Sequence, residues 1–332
     1  MTPLAVGGLH ELVVGVRSID DASTYWGRFG FSHGAEVVLA KTEAQAIYGV
    51  ASSARVRVLA HGSSDHGLIR LIEWESPTGP GLGLTPLRAL GSRWGAMLTR
   101  SVLAVQSHAE SADEQGLPIA WVSSSRQDPT GPVARPFLDE LIHVREMILC
   151  RSESRQVLFE RFGYSNPTYG TMVDAGFPAS QVTHVGVVTA GDADQVHFHQ
   201  RTIGVLMTRE ASVSTAADMA SRRIFDLGPG EQYRCWDFDD PRSGSAPSQW
   251  ISGRLKYIHF DTEPVVDLRA ASHLGALGHT AYTWRVTDLD AARTTVIAND
   301  ATTVGEIVDD GLGRRSFSFV DTAGYDWLYI AA

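Results

Sequence analysis

Four of the twelve histidines, His10, His184, His259 and His279, stand in or beside short apolar runs that read as β-strands. A neutral imidazole in such a place can ligate a divalent metal, move a proton, or do no more than hydrogen-bond a strand end. Their neighbours decide between these readings. A metal that polarises an oxygen needs two or three His or carboxylate side chains converging, with positions left open for substrate. Other patterns carry less chemistry. His197 and His199 are two apart on a helical stretch and point in different directions. The run GPGLG at 79–83 lacks the preceding strand and following helix of a dinucleotide loop. No Ser or Cys sits in a nucleophile elbow.

The elements that must position these histidines recur along the chain. Leu9 to Phe31 runs histidine, short strand, amphipathic helix and a glycine turn into the next strand, and a variant opens at Thr183. A shift of 174 residues lays His10 on His184, Val13-Val14 on Val187-Val188, and Phe29-Gly30-Phe31 on Ile203-Gly204-Val205. Such self-similarity is the mark of repeated modules. After each long unit comes a shorter one, with Leu90-Gly91 repeated as Leu274-Gly275 at a spacing of 184 residues. In the first unit Ser18 is a suitable helix N-cap, with Asp20 and Asp21 in the first turn. Strands follow near Glu36–Ala40, Arg55–Ala60 and Leu68–Trp74. The second unit has a strand near Ala96, a helix over Leu103–Gln115, a strand from Leu117, and room for two more between Phe137 and Cys150. Ser152–Gly163 reads as a helix and the Gly- and Pro-bearing Ser165–Ser180 as a linker. The third unit has helices over Asp192–Thr202 and Ala216–Phe225, and the fourth has a helix over Leu289–Ala298.

Composition narrows the function classes. With 43 % hydrophobic and 20 % charged residues, the 332-residue chain is globular and long enough for two domains. A net charge of −10 and the lack of basic clusters exclude nucleic acid as the main partner. Cys150 and Cys235 lie far apart, which suits a reducing compartment, and no apolar run reaches membrane-spanning length. A cytoplasmic protein with a small-molecule substrate and no membrane partner is expected, with homo-oligomer formation left open.

The order of these motifs resembles the vicinal oxygen chelate superfamily, which includes glyoxalase I, extradiol dioxygenases and bleomycin-resistance proteins. The resemblance rests on the His10 and His184 strand starts, YWGRFGF at 25–31, Gly67–Trp74, VTDL at 286–289 and DTAG at 321–324. It implies an α+β fold of four βαβββ modules paired into two domains, each a curled mixed sheet around a cleft with helices outside. The expected division is 8–150 for the N-terminal pair, 151–181 for a helix and linker, and 182–332 for the C-terminal pair. In the superfamily, metal ligands come from the first and last strands of paired units. That places a divalent metal (Fe, Mn, Zn or Ni) between His184 and His279, with His259 or Asp326 completing the shell. Asp326 stands in for the usual carboxylate, whose position Leu328 occupies, and His279 lies two residues from the usual ligand position, Ala281. In the N-terminal half His10 or Glu11, Glu73 or Glu75, and Glu146 with His143 are the candidates. Gly95, Met97 and Arg70 stand where ligands would be wanted there. His10, His184, His259 and His279 are the catalytic candidates. Trp94, Trp236, Trp250, Tyr257, Trp284 and Trp327 could line a cleft or fill a core. The implied activity is a lyase or isomerase acting on a small aromatic or oxygen-rich molecule. A ring-cleaving dioxygenase and a non-catalytic ligand-binding protein are the alternatives.

Overall fold

The computed structural model describes residues 3–127, 135, 137–191, 193–214, 219–262 and 265–332. The first module contains β1 (Glu11–Val16), α1 (Ile19–Gly27), β2 (Phe31–Leu39), α2 (Lys41–Tyr48), β3 (Ala54–His61) and β4 (Leu68–Trp74). A connector bearing β5 (Ala89–Leu90) leads to the second, with β6 (Arg93–Thr99), α3 (Val102–Glu114), β7 (Ile119–Gln127), β8 (His143–Arg151) and β9 (Ser154–Phe162). The third has β10 (Ala179–Val188), α4 (Ala193–Val196), α5 (Phe198–Ile203), β11 (Met207–Ser214), α6 (Met219–Ile224), β12 (Gln232–Phe238) and β13 (Arg254–Phe260). After β14 (Val266–Asp267) come β15 (Gly278–Val286), α7 (Leu289–Ala298), β16 (Val308–Asp309), β17 (Arg315–Val320) and β18 (Asp326–Ala331).

Local chemistry explains the helix starts. The hydroxyl of Ser18 accepts from the Asp21 amide at 3.2 Å, Ser101 does the same for Ala104 at 3.2 Å, and Asp288 for Ala291 at 2.9 Å. The DTAG motif is a side-chain-built turn. Asp321 accepts from the Ala323 and Tyr325 amides, both at 2.9 Å, and from the Trp327 indole at 2.7 Å. One expectation needs correction. Ser152–Gly163 is not helical, because a tight turn at Ser152-Glu153 folds β9 back onto β8 in register from Arg151↔Ser154 to His143↔Phe162. The helix expected over Ala216–Phe225 appears as α6, and positions 216–218 lie outside the described residues, as do 192 and most of the Pro/Gly-rich loop before β8.

The sheets pair modules differently from the expected halves. Sheet 1 runs β16-β17-β18-β15-β1-β4-β3-β2 and sheet 2 runs β11-β12-β13-β10-β6-β9-β8-β7. The first module therefore joins the fourth and the second joins the third, so 8–150 and 182–332 do not each close a sheet. In each sheet the seam is antiparallel pairing between two module-opening strands, β1 with β15 and β10 with β6. Every module presents such an edge, so repeat spacing alone does not select its partner. The intermodule connectors also run together, as β5 pairs with β14.

Behind the seams one core serves both sheets. Leu12, Val14, Tyr282 and Trp284 of sheet 1 pack with Met97, Val182, Val185 and Tyr257 of sheet 2, and with residues of α1, α3, α5 and α7. The Tyr282 hydroxyl lies within hydrogen-bond distance of the Trp94 and Gly186 carbonyls across the joint, at 3.0 and 2.9 Å. Two helices do not lie outside. Ala44, Ile47 and Tyr48 of α2 pack on the concave face of sheet 1 with Val13, Val56, Ile72 and Leu328, and Ile224 of α6 packs on that of sheet 2.

Candidate functional site

Strand alternation brings Glu11 of β1, Arg70 of β4 and Thr283 of β15 to the concave face of sheet 1. There α2 closes over a buried ionic network. Arg70 donates to Glu11 at 2.8 Å, to the Tyr48 hydroxyl at 3.0 Å and to Asp310 at 3.2 Å. Arg314 donates to Glu11 at 3.0 Å and to His10 Nε2 at 2.9 Å, and lies 3.3 Å from Asp310. Glu11, Arg70 and Asp310 are fully buried. Despite that burial, the two guanidinium groups hold the Glu11 carboxyl far below the usual carboxylate range. His10 donates its Nδ1 proton to the Asp65 carbonyl, 3.0 Å away, and uses Nε2 to accept from Arg314, so neither nitrogen is open to a metal or substrate. Burial is the main cause that lowers its pKa to about 4.

The other site candidates scatter. His279 belongs to sheet 1, but a bulge between Val13 and Val14 shifts the register at its position, and it meets the other sheet. Its Nε2 accepts from the Arg155 amide of β9 at 3.3 Å. Burial, with Arg155 and Arg93 nearby, lowers its pKa to about 3. Asp326 lies on β18 and accepts from His273 Nδ1 at 2.7 Å. His259 stands on the face of β13 opposite Lys256 and Ile258, with Nδ1 3.2 Å from the Thr189 carbonyl. His184 lies on β10 in sheet 2. The expected set His184, His279, His259 and Asp326 is thus divided between two sheets, and no three His, Cys, Asp or Glu residues cluster as a metal shell among the described residues.

His184 faces an open cavity. The concave face of sheet 2 encloses about 190 Å³ lined by His184, Lys256, Arg209, Trp94, Phe225 and Tyr233, with Glu146 on the far side. In the β10–β13 register His184 pairs with Arg254 and Gly186 with Lys256, which makes Lys256 a diagonal neighbour of the imidazole. Gly186 is required here, because a Cβ would lie 2.0 Å from the Trp94 ring. On the same face of the sheet Asp237, fully buried, serves three cations. Arg254 donates to it at 3.1 Å, while Lys256 and Arg209 stand at 3.6 and 3.7 Å. Burial and the positive charges of Lys256 and Arg254 drive the His184 pKa well below its ordinary value, with Asp237 opposing. Burial works against the Lys256 ammonium, but Asp237 and its other acidic neighbour, Cys235, together hold its pKa above its ordinary value. Sequence reading missed Lys256, Arg209 and Asp237. The available signal was charge at strand positions that alternate with core residues, as in RLKYIHF and QYRCWDF.

A second constellation has the geometry of a nucleophile relay. His66 Nδ1 lies 2.7 Å from Asp65, and its Nε2 lies 2.6 Å from the Ser252 hydroxyl. Ser252 is fully buried and also accepts from Gln181 at 3.0 Å. A carbonyl has no approach to its Oγ, so the arrangement serves as a clamp between the β3–β4 and β12–β13 connections. Of the aromatic candidates, Trp94 lines the cavity, Trp236, Tyr257, Trp284 and Trp327 belong to the shared core, and Trp250 is partly exposed.

No family model matches the chain, and no curated protein matches it in sequence. Solved structures do match its fold. A glyoxalase I mutant from Zea mays superposes with a TM-score of 0.56 at 10 % identity, covering 98 % of this chain and 94 % of its own. Unmutated glyoxalase I from Zea mays gives 0.52 at 11 %, covering 98 % and 92 %. A protein from Bacillus subtilis, provisionally a dioxygenase, gives 0.55 at 9 %, covering 99 % and 86 %. This chain has the vicinal oxygen chelate fold. That fold implies a divalent metal, but the donor sets present do not fit one. In sheet 1 the Glu11 carboxylate is saturated by guanidinium groups. In sheet 2 His184 has a lysine for its diagonal neighbour, and a cation there repels a metal. Among the described residues no helix is long and apolar enough to cross a membrane.

Proposed function

We propose that this protein is an enzyme of vicinal oxygen chelate type that performs lyase or isomerase chemistry on a small, flat organic molecule in the sheet 2 cleft, using side chains in place of a metal. The observation that carries this reading is the pairing of a neutral imidazole, His184, with an ammonium, Lys256, on one wall of one cavity. Burial keeps His184 unprotonated at neutral pH, so it can accept a proton from carbon next to a carbonyl. Lys256, kept protonated by Asp237, stands where negative charge on the neighbouring oxygen would be stabilised. Returning the proton to another carbon gives an isomerase, and loss of a β-substituent gives a lyase. The depressed basicity of His184 favours a second reading, a protein that holds such a ligand without turning it over.

The two readings separate in D2O. Phenylpyruvate and 2-hydroxyacetophenone are incubated with protein dialysed against a chelator, and loss of the α-proton signal is followed by NMR. Exchange above the protein-free rate, reduced at least about a hundredfold in His184→Gln, is expected of the enzyme. Unchanged exchange in His184→Gln would overturn the assignment, and saturable binding with no exchange would favour the second reading.

A further inference from the structure

We infer that the sheet 2 cleft selects an organic anion with a flat apolar body, recognised by Lys256 and Arg209; this rests on that cleft being the working site. The argument begins with hydrogen bonds. Arg254 is satisfied by Asp237, at 3.1 Å, and by Asp239. Lys256 Nζ and the Arg209 guanidinium lie 3.6 and 3.7 Å from Asp237, close enough for attraction and too far for a hydrogen bond. Neither donates a hydrogen bond to any described residue. On the other side of the account, the buried Oδ1 of Asp237 accepts none. The Lys256 side chain is only 22 % exposed, and an ammonium drawn this far out of water with its N–H groups unengaged is costly unless a partner completes the arrangement. The protein supplies two carboxylates, Asp237 and Asp239, for three cations, so the missing partner is an anion.

The charge opposite does not cancel this. Glu146 is the one carboxylate among the described residues that lines the cavity, and the β8–β9 register places Arg161 diagonally beside it on the same face. At His184 the positive charges of Lys256, Arg254 and Arg161 act together against Asp237 alone. The remaining walls select the body of the ligand. The Trp94 and Phe225 rings are 5.7 Å apart and the Phe225 and Tyr233 rings 5.4 Å, an apolar ledge beside the two cations. A cavity of about 190 Å³ is below the size of drug-sized sites and suits a single-ring molecule, not a nucleotide.

The test is a fluorescence titration of the full chain with benzoate, phenylphosphonate and the neutral benzyl alcohol, at low and high salt, with Trp94→Phe identifying the cleft signal. Benzoate and phenylphosphonate should saturate the Trp94 response at concentrations about tenfold or more below benzyl alcohol, and the advantage should shrink with salt. Lys256→Met and Arg209→Met should each abolish the advantage while leaving benzyl alcohol binding in place. The Arg209 side chain is 54 % exposed, so its variant stays folded if the Lys256 variant does not. Equal binding of benzyl alcohol and the anions, or anion binding unchanged in Arg209→Met, overturns anion selection and leaves the cleft as the site. A Trp94 signal that no compound perturbs removes the cleft reading itself.

Discussion

Replacing Arg70 by methionine tests whether the sheet 1 cleft is held closed by charge. Arg70 is fully buried and satisfies Glu11, Asp310 and Tyr48 simultaneously, at 2.8, 3.2 and 3.0 Å. Removing one member of a buried pair costs about 3–5 kcal/mol, because the partner is left as an uncompensated charge. Arg314 still reaches both carboxylates, at 3.0 and 3.3 Å, so the lower end of that range, about 3 kcal/mol, is expected at neutral pH. Adding Glu11→Gln and Asp310→Asn removes the stranded charges and should recover most of the loss. Urea unfolding followed by circular dichroism measures both. Glu11 adds a pH signature: its folded pKa is depressed, so its contribution is present above the unfolded value of 4.5 and disappears as acid titrates the folded carboxyl. The gap between the parent and Arg70→Met should therefore narrow only in strong acid. A loss below about 1 kcal/mol at pH 7, or a triple variant less stable than the single one, would refute the role given to the network.

Two further outcomes follow from other sites. Burial lowers His10 to about 4 and both His199 and His279 to about 3, against 6.5 in the unfolded chain. These groups bind fewer protons folded than unfolded, so stability should fall as pH drops through 6.5 toward 4; urea midpoints that rise or stay level over this range would contradict it. Elemental analysis of protein purified without chelators should find well under one divalent metal per chain, and His184→Ala with His279→Ala should not change it. A stoichiometric metal lost in that double variant would restore the ligand set the structure separates.

How much of this was legible in the sequence depends on the range of the interaction. Strand and helix positions set by local pattern are close to those read from the residues: Leu68–Trp74 and Leu289–Ala298 match to the residue. Ser18 caps its helix as its side chain demands. The misreading of β9 is also instructive, because SRQVLFERF has no turn residues inside it, and only the hairpin with β8 and the parallel contact with β6 decide its conformation. Arg70 was recognisable as out of place for a ligand, yet its partner Asp310 is 240 residues away and no local pattern joins them.

The module pairing is where local reading fails most, and it also explains the candidate site. Sheet 1 joins the chain's two outer modules and sheet 2 its two inner ones, so His184 and His279, which repeat logic placed in one cleft, lie on strands of different sheets. Each cleft then departs from the expected metal shell in its own way. In sheet 1 the charges face inward and neutralise one another beneath α2, leaving His10 with both nitrogens engaged. In sheet 2 two carboxylates, Asp237 and Asp239, serve Arg209, Arg254 and Lys256, and Gly186 leaves room for the Trp94 ring against the strand. Neutralised charge under a helix stabilises a closed face, whereas incompletely neutralised charge beside a cavity costs stability unless something binds there. That contrast, more than the histidines themselves, is what favours sheet 2 as the proposed working cleft.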